Sequence, residues 1–187
     1  MGAMRARWPL LLVALAGCAG GTTRAVSAEV DALLRRGVEQ RSAGRDAEAL
    51  ETFRAARARS EAPRVVAQLA LALQANGRWV EAEAQIELAL RATDDPWIRR
   101  HRAVLDEARR DIARRVGALF VGGNVDGATV RLDGADVATL PMREPVRVLA
   151  GEAVLEVRAA GHAPVSRRIV VRPSGITREV VRLPPLR

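Results

Sequence analysis

The rhythm of apolar and polar positions changes three times along this chain. Trp8 to Ala16 is an apolar run of nine residues broken only by Pro9, with Arg5 and Arg7 just before it. A bilayer-spanning helix needs about 20 apolar residues. The run is too short for that and suits the apolar region of a secretory leader. Further on, VDALLRRGVEQRSAGRDAEALETFRAARARSEAP and VVAQLALALQANGRWVEAEAQIELALRATDDP overlay at a single offset of 33 residues. Gly44 matches Gly77, Ala49 matches Ala82, Phe53 matches Ile86, Ala56 matches Ala89 and Pro63 matches Pro96. WIRRHRAVLDEARRDIARRVG then places Trp97, Ile98, Val104, Leu105, Ala108, Ile112 and Val116 at spacings of three and four. Those spacings predict one amphipathic helix. At Gly117 the period shortens again, and valine-rich stretches are broken by glycine and proline. Strands are predicted at 118–121, 128–132, 136–140, 145–149, 153–159, 165–172 and 176–183. Asp133-Gly134 predicts a two-residue hairpin turn, because both central positions need positive φ. Alternation puts Val130 with Leu132, Val146 with Val148, and Leu155 with Val157 on common faces. The last two strands alternate less cleanly.

This pattern predicts α and β in separate domains. Residues 1–17 form a leader, 18–28 a short polar tether, 29–116 an α-helical repeat pair with a capping helix, and 117–187 a small antiparallel β-sandwich. A tether of about ten residues reaches at most roughly 35 Å when extended. In the helical part, Gly44 and Gly77 stand where a first helix must stop and turn. Ala49 and Ala82 let the second helix approach the first. Phe53 and Ile86 fill the gap between them, and Ala56 and Ala89 leave room for the next unit. Pro63 and Pro96 punctuate the links. Two such units bury too little surface alone, and the helix from Trp97 to Val116 is the expected cap.

Three resemblances follow from these residues. Leu15, Ala16, Gly17 and Cys18 spell LAGC, which resembles the bacterial lipoprotein signal. The resemblance implies cleavage before Cys18, a thioether-linked diacylglycerol on its sulfur and an acylated amino terminus. It explains why the chain has a single cysteine. Ala19, rather than aspartate, follows the cysteine, which by the same resemblance implies sorting to the outer membrane. The 33-residue offset resembles the tetratricopeptide repeat (TPR), a helix–turn–helix unit of about 34 residues. Leu33 and Gly37 add weaker matches in the first helix, and Ala70 takes the small position in the second repeat. The last 70 or so residues resemble the PEGA domain, a small β module of bacterial envelope proteins. Val125-Asp126-Gly127-Ala128 takes the Pro-Glu-Gly-Ala-like turn. Val130, Leu132, Asp133 and Gly134 end the next strand, Pro141 or Pro145 takes the proline, and Gly151 precedes the long strand. Gly161-His162 stands where the family has Gly-Tyr. The turn keeps only Gly-Ala, and the tyrosine is replaced.

Composition narrows the function. The net charge is +8, of which Arg5 and Arg7 in the leader supply two, and every basic side chain is arginine. The arginines are interleaved with acids, and aromatic residues make up 3% of the chain. Nucleic-acid binders concentrate arginine beside stacking aromatics, so none is expected as a partner. The capping helix is the most basic stretch, with Arg99, Arg100, Arg102, Arg109, Arg110, Arg114 and Arg115 against three acids. It reads as a solvated outer face, or alternatively as a strip towards lipid head groups or envelope polymers. The two histidines, His101 and His162, are far apart and have no metal-type spacing. His101 reads as a packed residue and His162 as a strand-edge side chain. GGNVDGA lacks the lysine and hydroxyl of a phosphate loop. Asp126, Asp133 and Asp136 read as turn formers rather than calcium ligands. No catalytic residue, metal ligand or cofactor is expected, and the chain is not read as an enzyme.

The expectation is a lipid-anchored protein of the outer membrane, facing the periplasm, that binds a protein partner as an adaptor or scaffold. Its first-helix residues Arg36, Gln40, Gln68 and Leu71 are the expected partner-binding positions. The alternative is a peptidoglycan or anionic-polymer binder that uses the arginine-rich helix and the β domain.

Overall fold

The computed structural model describes residues 19–186. Residues 1–17, expected to form a leader, and with them Leu15, Ala16, Gly17 and the expected lipidation site Cys18, lie outside the described residues. Five helices come first: α1 (Ala19–Ser42), α2 (Asp46–Arg57), α3 (Pro63–Ala75), α4 (Trp79–Leu90) and α5 (Pro96–Ala113). Seven strands follow: β1 (Val116–Gly123), β2 (Thr129–Leu132), β3 (Ala135–Thr139), β4 (Val146–Leu149), β5 (Gly151–Arg158), β6 (Val165–Val171) and β7 (Ile176–Val181).

The helices form two hairpins with the same local structure 33 residues apart. Pro63 and Pro96 sit in the first turns of α3 and α5. Proline suits that place because it has no N–H to leave unpaired and its φ is already helical. Gly44 (φ 72°) and Gly77 (φ 70°) turn the chain between the helices of each hairpin. At each turn the next residue bonds back into the preceding helix: Arg45 N–H donates to Gln40 O and Arg78 N–H to Leu73 O, both at 2.9 Å. Ala49, Phe53 and Ala56 in α2, and Ala82, Ile86 and Ala89 in α4, are at most 1% exposed. The inter-helix gap is filled differently in the two hairpins. Phe53 lies so close to Gly37 that a Cβ there would stand 2.6 Å from its ring. In the second hairpin Ala70 and Ile86 hold the same two places, both fully buried. A larger floor goes with a smaller knob.

Three expectations change here. The stretch read as a tether is helical from Ala19 onward. The sequence holds no proline between Ala19 and Val30, the first buried residue described in α1. At 1.5 Å per residue that segment spans about 15 Å, less than half the extended reach. The helical domain ends earlier than its apolar stripe. α5 stops at Ala113, and Val116 opens β1 while packing into the helical core. Val104, counted in that stripe, is 56% exposed.

The strands form two sheets, β4-β1-β7 and β3-β2-β5-β6, with one core between them built from Leu119, Val121, Val148 and Val181 on one side and Val130, Leu155, Val157 and Ile169 on the other. Asp133 (φ 50°) and Gly134 (φ 83°) make the β2–β3 turn. The unit is not wholly antiparallel: β1 and β7 run parallel. They are its first and last strands, and the five between them supply the long crossover a parallel pair requires. The weak alternation of β7 has a physical cause. Its inward row is Thr177, Glu179 and Val181, while Ile176 and Val180 face outward. Thr177 Oγ1 accepts from Arg172 N–H at 3.0 Å, and Glu179 pairs with Arg167 of β6 at 2.5 Å. Polar residues point inward there because they close the open side of the sandwich between β6 and β7.

The two units touch through named contacts. Arg147 of β4 pairs with Glu83 of α4, its Nε donating to Oε2 at 2.7 Å and its NH2 group to Oε1. Arg115 lies 4.3 Å over the Trp79 ring. Ser174 Oγ donates to Ala113 O at 2.9 Å. The end of the helical stack is thus closed by the β unit as well as by α5.

Candidate functional site

α1, α3 and α5 are the opening helices of successive units, and they leave a groove between them. One part, of about 480 Å³, is lined by Val38, Arg41, Gln68, Leu71, Trp97, His101 and Val104 among others. A second part, of about 450 Å³, shares Arg41, Leu71 and Val104 and runs on past Gln74, Glu107 and Asp111 to Arg114. The groove therefore continues in both directions from Arg41. Val38 is 44% exposed, so with Val104 it offers apolar surface that no element covers.

Several of its polar groups already have partners within the protein. Arg64 pairs with Asp31 at 3.6 Å. Gln74 Nε2 donates to Asp111 Oδ2 at 2.9 Å, and Arg114 pairs with Asp111 at 3.0 Å. The Gln74 bond first, then the Arg115 and Arg114 charges, hold the Asp111 carboxyl below its ordinary value of 3.8, against partial burial that pushes it up. His101 stacks on Trp97 with ring centroids 4.0 Å apart, and its Nδ1 lies 2.8 Å from Trp97 O. Arg41 makes no ion pair among the described residues.

Of the four positions expected to bind a partner, Gln68 and Leu71 line this groove. Arg36 is exposed but not among the lining residues. Gln40 is only 4% exposed and serves the α1–α2 contact. Thr52 Oγ1 donates to Gln40 Oε1 at 2.7 Å, and Gln40 Nε2 donates to Glu48 Oε2 at 3.3 Å. Gln40 lies three residues after Gly37 and so shares the face that meets α2. Val38, Arg41 and Trp97 also line the groove, and the sequence did not single them out for it. Periodicity ranks helix faces by apolar content, but it does not say which face meets a neighbour and which stays open.

The arginine-rich helix is less free than its sequence suggests. Arg102 pairs with Asp106 at 3.0 Å, Arg109 lies 4.0 Å from Glu87, and Arg115 is taken up by Trp79 and Asp111. Arg99, Arg100 and Arg110 make no ion pair among the described residues. In the β unit, His162 Nδ1 lies 3.0 Å from Ala160 O. Asp133 Oδ1 accepts from Val154 N–H at 2.8 Å, and Asp136 pairs with Arg131 at 2.8 Å. These carboxylates serve the hairpin. No helix among the described residues is long and apolar enough to cross a membrane. No family model and no curated protein matches the chain.

Proposed function

We propose that this protein is a non-catalytic adaptor of the bacterial envelope that holds a polypeptide segment of a partner in the groove between α1, α3 and α5. The observation that carries this reading is the groove itself: a concave track on three successive opening helices, with Val38 and Val104 exposed and Leu71 part-buried along it. Interior-grade apolar surface left open along a helical repeat is where a partner chain gains most by docking. In this reading the 33-residue hairpins are TPR-like, the β unit is PEGA-like, and acylation of Cys18 holds the molecule on the outer membrane facing the periplasm. Two or three acyl chains anchor it durably, at about 0.8 kcal/mol per buried CH₂.

In-cell photo-crosslinking tests the reading. A crosslinking residue placed at Gln68 should capture one envelope protein at a fixed ratio, and Val104→Glu should abolish the capture. The same residue at Arg36 should capture none. Capture of glycan alone, or equal capture from both positions, would move the function away from the groove. The anchor is tested separately by the mass of the native product, which should begin at Cys18 with lipid on its sulfur.

A further inference from the structure

The outer face of the three-stranded sheet is only half covered. Arg147 of β4 and Ile176 of β7 stand on either side of Ala118 in β1. α4 lies over the Arg147 end of that row, where the Glu83 carboxylate takes the guanidinium with two hydrogen bonds. The next two rows carry Phe120 beside Arg178 and Gly122 beside Val180. Among the described residues no helix or strand lies over them. Phe120 is half-buried and belongs to neither core. A Cβ added at Gly122 would meet nothing nearer than 4.0 Å. Ile176 is 39% and Val180 74% exposed.

The alternation along β7 extends one residue past the strand, so Ile176, Arg178, Val180 and Arg182 form one outward row, all exposed. Over that row of seven residues the strand runs about 20 Å. Neither Arg178 nor Arg182 makes an ion pair among the described residues, whereas Arg147 on the same face has Glu83.

We propose that this bare half of the sheet is a docking surface for an acidic amphipathic helix of a partner protein, laid beside α4. The molecule supplies the template: a helix already covers the neighbouring row and reads a sheet arginine with a carboxylate. A second helix would continue that interface, placing apolar residues on Phe120, Ile176 and Val180 and carboxylates on Arg178 and Arg182. Charge complementarity selects acidic flanks, since Arg forks bind carboxylates in two-bond pairs. Shape selects a helix over a lipid surface. α4 stands a helix diameter, about 10 Å, above the sheet, so the bare half is the floor of a step that a flat bilayer does not reach. This surface is separate from the groove between α1, α3 and α5, and the inference stands or falls independently of it.

The test uses the chain from residue 18 onward with Cys18→Ser, so that no lipid competes. The probes are a labelled helical peptide with a leucine stripe flanked by glutamates, the same peptide with lysines in place of the glutamates, and phosphatidylglycerol vesicles. The glutamate peptide should bind, and the lysine peptide should bind at least about tenfold more weakly. Arg178→Glu with Arg182→Glu, and separately Val180→Glu, should each weaken the glutamate peptide by about tenfold or more. These side chains are exposed, so the variants should fold as the parent does. Val104→Glu in the groove, and Arg99→Glu with Arg100→Glu on α5, should leave binding unchanged. Equal binding of both peptides, equal loss from the α5 variant, or failure of the glutamate peptide to bind would overturn the proposal. So would vesicle binding that depends on Arg178 and Arg182 in the absence of peptide binding.

Discussion

Gly37 shows how much one missing methyl decides. A helix-interior glycine costs roughly 0.5–1 kcal/mol relative to alanine, yet here the Phe53 ring occupies the space a Cβ would need. Gly37→Ala should therefore destabilise the protein by about 1–3 kcal/mol through overpacking. Combining it with Phe53→Ile recreates the Ala70–Ile86 pair of the second hairpin and should recover most of that loss. Urea unfolding of the two single variants and the double variant, read as a cycle, measures the coupling; additive losses would refute it. Asp111 makes a second prediction at this scale. Its folded pKa is depressed, so its contribution is present above the unfolded pKa and is lost as pH falls through the folded one. The stability gap between the parent and Asp111→Asn should close progressively below about pH 5. Gln74→Ala, which removes the largest cause, should raise the Asp111 carboxyl titration measured by NMR towards the ordinary carboxylate range. An unmoved titration would show that the Gln74 bond is not what holds it down.

At the scale of elements, ends and turns set the architecture. Asp95 caps α5, accepting from Trp97 N–H and Ile98 N–H at 2.9 Å each, with Pro96 at the first helical position. Asp95→Ala should cost about 1 kcal/mol, and thermal unfolding with amide exchange along the first turn of α5 would show it. No loss at either readout would mean that Pro96 alone starts the helix. These ends were legible beforehand: Pro63, Pro96, Gly44, Gly77 and Asp133-Gly134 mark the breaks, because proline and glycine act through the local backbone. The seven strands were legible for the same reason. The pairing of β1 with β7 was not, since nothing local distinguishes a parallel partner from an antiparallel one. Gln40 was misplaced because a helix face looks the same whether it meets α2 or the open groove.

At the scale of the whole molecule, the two units share their boundary. Val116 lies on β1 yet is fully buried in the helical core, Arg115 covers Trp79, and Glu83 holds Arg147. Such sharing predicts one cooperative transition. Val116→Ala should move the urea midpoint of Trp fluorescence, which reports the helices through Trp79 and Trp97, together with that of amide exchange at Val121 and Leu155 in the β unit. A shift in one without the other would mean that the units unfold separately. The shared boundary also fixes the step beside α4, because Glu83 and Arg147 hold that helix over one part of the sheet and leave Arg178 and Val180 bare.

By itself the sequence determined the order of elements, the 33-residue offset, the turn positions and the apolar residues that fill each core. Those depend on local backbone preference and on periodicity, and both are properties of a short stretch of chain. Only the tertiary structure decided which helix faces meet, so that Gln40 is buried while Val38 and Val104 line a groove. It alone paired the first strand with the last, set Arg102 and Arg109 of α5 beside acids while leaving Arg99, Arg100 and Arg110 without ion pairs among the described residues, and left one half of a sheet uncovered. Each of these depends on which residues, distant in sequence, arrive beside one another, and no window along the chain carries that information.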